Sequence, residues 1–288
     1  MKRVLLVSVL ILFSASLSFG QNTFYFAHVV NGNAGGVWKT TIFLTNPAAA
    51  GSPAVSGSVT LTKDDSNPNG LGTAMNVNFT DETGAPAGSG NTIPFQIAGG
   101  GSKKFTSTGA GAFSGGFATV NSTGPISGTA VFSLYNNAGT QLVAEAGVPS
   151  AVVNAKQSIF VDIGAGFDVG VAYANPNAGA ATVTLRVLNS NAQQVLTTTS
   201  ALGSGNHKAA FLSEFFPGIP PMSGTMSIEG GLLAIALRFA PGGVFTTLPP
   251  VQVATMMEPA MKWFEARPWA QPLMSLARFM AALQFRLG

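Results

Sequence analysis

Apolar and polar side chains alternate over short stretches along most of this sequence. In Ser58-Val59-Thr60-Leu61-Thr62 every second residue is apolar. Over residues 181–188, Val183, Leu185 and Val187 fall on one face and Thr182, Thr184 and Arg186 on the other. Ala130, Phe132 and Leu134 share a face, and so do Ile235, Leu237 and Phe239. Successive side chains of a strand point to opposite faces, so each stretch predicts a strand with one face on a core and one in water. Clusters of Gly, Pro and Asn separate the stretches, the rhythm of an all-β sandwich or barrel.

The pattern breaks at both ends. Met1-Lys2-Arg3 is followed by the almost wholly apolar run Val4 to Phe13, and then by small residues up to Gly20. Those are the three regions of a secretory signal peptide, with Ser18 and Gly20 placed for cleavage before Gln21. From Thr255 onward Met, Trp, Phe and Arg replace Gly and Thr, and Pro259, Pro268 and Pro272 interrupt the first part. Leu273, Leu276, Met280, Leu283 and Leu287 then recur at steps of three and four, which predicts an amphipathic helix over 273–287, about 22 Å long.

Between the ends, the order of the strands repeats. Thr40 to Pro47 (TTIFLTNP) matches Val169 to Pro176 (VGVAYANP), and each is followed by a small-residue loop and a strand, Ser58 to Leu61 or Thr182 to Leu185. Gly101 to Phe105 then matches Gly205 to Phe211. Gly115 to Val120 matches Gly224 to Ile228, and Gly128 to Leu134 matches Leu232 to Phe239. The two Asn-Pro pairs are 129 residues apart, a domain-sized period. Proline has no N–H for a ladder and biases the residue before it away from helix, so each Asn-Pro reads as a strand stop. The expected fold is all-β: two tandem antiparallel immunoglobulin-like β-sandwich domains related by duplication, plus a short C-terminal helix. Its divisions are a signal peptide over 1–20, domains over 21–150 and 151–252, and a tail over 253–288.

This strand rhythm resembles the tandem immunoglobulin-like or fibronectin-like modules of exported bacterial surface proteins. The disulfide and core tryptophan of true immunoglobulin domains are absent, since the chain has no cysteine and Trp38 is the only tryptophan before the tail. Leu44-Thr45-Asn46-Pro47, Gly128 to Phe132 and Glu145 to Pro149 also resemble strands that recur in uncharacterised exported proteins. That resemblance implies no activity.

Composition sharpens the picture in two places. Charged residues are only 9% of the chain, against about 25% in an ordinary domain. A surface carried by hydroxyls and amides is therefore expected. The pI near 9.3 points toward nucleic acid, but the charge is badly placed for it. Residues 21–254 hold eight basic and nine acidic side chains, so no phosphate-binding patch is expected; the basic excess lies in Lys2 and Arg3 of the signal segment and in the tail.

Candidate chemistry is sparse. The only histidines, His28 and His207, lie in different repeats without a carboxylate nearby in sequence, and each reads as an exposed or hydrogen-bonding residue. Thiol chemistry is impossible without cysteine, and neither a Gly-x-Ser-x-Gly elbow nor a Walker A loop occurs. Two acids across a cleft would suffice for a glycosidase. The pool is Asp64, Asp65, Asp81, Glu82, Glu145, Asp162, Asp168, Glu214 and Glu229, and no spacing singles out a pair. Asp65-Ser66-Asn67-Pro68-Asn69-Gly70 reproduces the first half of a calcium loop, with Asp65, Asn67 and Asn69 as oxygen donors. Asn76 stands where the bidentate glutamate belongs, and the same residues make a polar turn. No catalytic, cofactor or metal residue is therefore assigned, and no cofactor is expected.

The expectation is an exported, non-catalytic structural or binding protein of the cell surface or matrix. Its partner would be another surface protein or a glycan. The alternatives are a carbohydrate-binding or glycoside-acting protein, and a membrane-surface protein held through the tail helix.

Overall fold

The computed structural model describes residues 21–253 except 65, 66 and 68, so the expected signal peptide, the tail helix and Asp65 lie outside the described residues. The described residues from 21 through 252 belong to one compact unit. The chain is all-β, and its named strands pair antiparallel throughout.

The first half contains β1 (Gln21–Asn33), β2 (Val37–Thr45), β3 (Val55–Lys63), β4 (Thr73–Ala74), β5 (Phe79–Thr80), β6 (Pro86–Gly88), β7 (Thr92–Ile97), β8 (Ser102–Ser107), β9 (Ser114–Tyr135) and β10 (Leu142–Pro149). The second contains β11 (Asn154–Ile163), β12 (Asp168–Ala174), β13 (Ala181–Asn189), β14 (Gln194–Leu202), β15 (His207–Phe211), the one-turn helix α1 (Leu212–Phe215), β16 (Met222–Phe239), β17 (Phe245–Leu248) and β18 (Val251–Gln252). No strand of one half pairs with a strand of the other.

The pairing scheme of the first half recurs in the second. β9 is bordered by β1 and β3 over its first part and by β2 and β10 over its second, and β2 also pairs β8 and β3 pairs β7. β16 has β11 and β13, then β12 and β17, while β12 pairs β15 and β13 pairs β14. The short strands β4, β5 and β6 belong to the first half alone. They are why the 129-residue offset at the Asn-Pro pairs falls to 105 between Gly101 and Asn206.

One expectation changes here. The stretches 115–120 and 128–134 are not separate strands but one, and so are 224–228 and 232–239. Each long strand passes from one sheet to the other, giving a sandwich-like pair of layers around a core. In β16 the crossing falls at Gly230-Gly231, whose φ values of +138° and +70° suit glycine.

Alternation predicts the inward faces well where only one face is covered. Val59, Leu61, Val183, Leu185 and Val187 are all buried. It misleads on β16. Ile235 and Leu237 do not pack into their own half's core but join the apolar cluster of the first half, together with Ala172, Ala174, Leu233 and Phe245. The opposite face, Leu232, Ala234 and Ala236, packs the second half's own core. This sheet is therefore buried on both sides, and the water expected on one of them is replaced by the other half.

Both Asn-Pro pairs are more than strand stops. Asn46 and Asn175 are almost fully buried. The Asn46 amide donates to the Ile97 carbonyl at 3.0 Å, and its main chain exchanges bonds with Gly100 and Gly101. The Asn175 amide donates toward the carbonyls of Gly179, Leu202 and Gly203 at 2.8, 3.0 and 3.2 Å, and its main chain bonds Gly205 and Asn206 in the same way. Each asparagine ties the end of one strand to the turn that starts β8 or β15.

Candidate functional site

The two histidines meet between the halves. The β1–β9 register shifts twice, between Gln21 and Thr23 and between Phe26 and Val29, and Ala27 and His28 lie in the second break. Such an irregularity re-aims a side chain, and here His28 turns toward the second half. His207 opens β15, immediately after the turn at 203–206. His28 Nδ1 and His207 Nε2 are 3.0 Å apart, with ring planes within 5° of parallel. The Phe132 ring stands edge-on to His28, with centroids 5.1 Å apart. Of the two expected states, exposed or hydrogen-bonding, the structure shows the second: the histidines are partners 179 residues apart in sequence, and His207 is buried.

A loop of the first half holds the turn that carries His207. Asn206 donates its amide to the Asn67 and Gly70 carbonyls at 3.0 and 3.2 Å, and Gly72 N–H donates to the Ser204 carbonyl at 3.0 Å. A β-carbon on Gly72 would strike the main chain of Gly205, and one on Gly203 would strike Gly70. Neither contact can yield at a flexible side-chain tip, so the close approach requires glycine. Gly72→Val is expected to cost about 3 kcal/mol in urea unfolding, the upper range for overpacking. Gly84→Val meets nothing within 4 Å but sits at φ +86°, so its smaller loss isolates backbone strain from collision.

Beside the histidines lies a chamber of about 540 Å³. Its apolar lining includes Val30, Trp38, Phe113 and Phe132 from the first half, and Phe211, Ile235, Leu237 and Phe239 from the second. The aromatic rings form a chain across the interface. Phe113 contacts Trp38 at 6.2 Å, Trp38 stacks on Phe245 at 5.7 Å, Phe245 meets Phe239 at 5.3 Å, and Phe239 meets Phe211 at 4.9 Å. Lys63, Asp64, Ser114, Glu214 and the two histidines supply the polar lining.

Burial sets the protonation of the pair. Part of the His28 ring faces the chamber, yet the surrounding walls strip it of water and bring its pKa down to about 4, against a weaker opposing effect of the Gly116 backbone. His207 is held well below its usual range by burial first and by His28 second. Both rings are neutral at pH 7. With both rings neutral, one of the two facing nitrogens donates and the other accepts. His207 Nδ1 is left buried without a partner.

The acids of the glycosidase pool are mostly occupied in local tasks. Asp81 caps the turn at Thr83 and Ala85, Glu82 pairs Lys103 at 3.0 Å, and Glu145 accepts from Ser133 at 2.6 Å. Asp162 pairs Arg238 at 2.6 Å, Asp168 accepts from Ser213, and Glu229 pairs Lys156 and Arg186. Of the described acids of the pool, Asp64 and Glu214 border the chamber, and Glu214 accepts from Phe211 N–H at 2.6 Å. In the calcium-like loop, Asn67 Oδ1 accepts from Asn69 N–H at 3.0 Å. The Asn67 main-chain carbonyl is taken by Asn206. That is the polar-turn reading, with docking between halves added to it. Among the described residues no three of His, Cys, Asp or Glu cluster as metal ligands.

Sequence reasoning missed the histidine pair and the aromatic chain, because both join residues from different halves. The one legible hint was the run Leu232 to Phe239, too continuously apolar for a strand with a wet face. No protein-family model matches the chain, and no curated protein matches it either.

Proposed function

We propose that this chain is an exported, non-catalytic binding protein built on two immunoglobulin-like sandwich modules related by duplication, acting at the cell surface or in the matrix. Its ligand is a compact, uncharged aromatic or aliphatic molecule held between the halves. The observation that carries this reading is the chamber: its volume lies in the range of about 300–1,000 Å³ usual for small-molecule sites, its walls are aromatic, and its histidines are neutral at pH 7. The recurring pairing scheme and the two buried Asn-Pro nodes support duplication.

The test uses Trp38 as reporter in a chain with Trp263→Phe and Trp269→Phe, titrated with N-phenyl-1-naphthylamine. Saturable one-to-one binding with quenching of Trp38 is expected. Ala210→Trp, which adds bulk at the chamber wall, is expected to weaken it about tenfold or more, the effect of about 1.4 kcal/mol. Unsaturable partitioning, or binding indifferent to Ala210→Trp, would overturn the reading. A glycoside-acting protein is the second reading, favoured by Asp64 and Glu214 on the same chamber. It requires release of reducing sugar from a glycan panel and its loss in Asp64→Asn.

A further inference from the structure

Among the described residues, each sheet ends in strands whose outer main-chain groups lack a ladder partner, and such edges pair with other strands unless they are blunted. Nearly all of them are blunted here. β7 carries Pro94, β6 opens on Pro86, and β4 and β18 are two residues long. The outer edge of β1 is covered where Tyr25 and Ala151 exchange both main-chain bonds, at 3.1 and 2.7 Å. β10 and β17 lie against each other, joined by a bond from Thr247 Oγ1 to the Gly147 carbonyl. β15 lies against β9 and runs directly into α1. β8 and β11, whose outer edges are paired only in part, carry Lys103 and Lys104, and Lys156 and Asp162, respectively.

β14 is the exception. It ends its sheet, pairing only β13 among the described residues. Its nine residues, Gln-Val-Leu-Thr-Thr-Thr-Ser-Ala-Leu, contain no proline, no glycine and no charge, and only Leu202 is buried. Three consecutive threonines and the neighbouring Val195 and Leu196 favour extended backbone. The corresponding edge in the first half, β7, is the one that carries proline. The two edges thus differ in the feature that decides whether a strand can be added.

We propose that the free edge of β14 pairs antiparallel with β14 of a second copy of this chain, joining two second-half sheets into one. A second copy suits this edge for a specific reason. Self-pairing about a two-fold axis brings the two copies of every side chain near that axis together, so a charge there would lie close to its own copy, and β14 has none. With the axis at Thr198, Thr197 of one copy lies opposite Thr199 of the other, and Leu196 lies opposite Ser200. Leu196 shares the inward face with Thr198 and Ser200, because their β13 partners Val187, Leu185 and Val183 are buried. Pairing therefore covers the part of Leu196 that the core of one copy leaves exposed, and it satisfies the outward N–H and C=O groups.

Sedimentation velocity on the chain of residues 21–288 tests this directly. The native chain is expected to dimerise as its concentration is raised through the micromolar range. Thr197→Lys with Thr199→Lys places lysines directly opposite one another and is expected to raise the dissociation constant about 30-fold or more. A one-to-one mixture with the Thr197→Glu, Thr199→Glu chain is expected to restore association as a mixed dimer. That restoration requires a folded edge, so it separates a broken contact from a broken fold. A native chain that stays monomeric to about 1 mM, a lysine chain that associates like the native one, or a mixture that stays monomeric would overturn the proposal.

Discussion

Asn175→Ala is expected to lower the free energy of unfolding by about 3–4 kcal/mol, the largest loss for a single polar side chain in this protein. Asn175 is completely buried, and its two amide hydrogens are shared among the carbonyls of Gly179, Leu202 and Gly203. Its Oδ1 accepts from both nitrogens of Asn177. Alanine removes the donors and leaves the carbonyls in a space too tight for easy hydration, and each stranded buried group costs about 1–3 kcal/mol. Asn46→Ala strands the Ile97 carbonyl, with fewer bonds at stake, so about 2 kcal/mol is expected. Asn175→Asp is the sharper variant. It keeps the shape, but at pH 7 it sets a carboxylate against three carbonyl oxygens, so it is expected to cost more than alanine. Urea unfolding followed by far-UV circular dichroism reads all three through the midpoint. If Asn175→Ala costs less than about 1 kcal/mol, these bonds are not what closes the strand onto the turn.

That asparagine marks how far the sequence could be read. Alternation identified Val183, Leu185 and Val187 as a core face because period two is a property of the strand itself. The Asn-Pro pair was legible as a strand stop because proline acts on its own backbone. The burial of the asparagine was not, since the carbonyl that Asn46 serves at Ile97 and the one that Asn175 serves at Leu202 lie 51 and 27 residues away. The face formed by Ile235 and Leu237 was found correctly but given the wrong neighbour. Periodicity separates the two faces of a strand without saying what covers each, and a sheet buried on both sides loses the polar half of its pattern. The chamber was least legible of all. Trp38 and Phe245, or His28 and His207, are ordinary residues in their own segments and acquire a role only when two separate sheets dock.

The histidine pair should make this docking sensitive to acid. The sign follows from where each state takes up its proton. Unfolded, His28 titrates near 6.5, whereas folded it titrates near 4. Above pH 6.5 the ring is neutral in both states and contributes no pH dependence. Between 6.5 and 4 the unfolded chain binds a proton that the native chain refuses, so stability falls as pH falls. At pH 5 the loss from His28 alone is about 2 kcal/mol, since each unit is worth about 1.4 kcal/mol. His207 is depressed in the same direction and adds to it. The carboxylates held below their usual range, Asp81, Glu82 and Glu229, have ordinary values of 3.8 to 4.5, so their contribution is lost mainly below pH 5. Lys63, Asp64 and Glu214 face the same chamber and are left unchanged in the comparison. The measurement is the urea midpoint at pH 7, 6, 5.5 and 5 for the native chain and for His28→Gln with His207→Gln. The native midpoint is expected to fall across this window while that of the double variant stays nearly level. One proton can still be shared across the 3.0 Å contact, because the neutral partner keeps a lone pair. A second proton removes that lone pair and sets two cations against each other in the wall of the chamber. Water should then enter between the halves before either sheet unfolds, and Trp38 emission should move to the red at a lower urea concentration than the loss of circular dichroism. Coincident transitions at pH 5 would mean that the pair acts on global stability alone, and an equal acid loss in the double variant would assign the effect to the carboxylates.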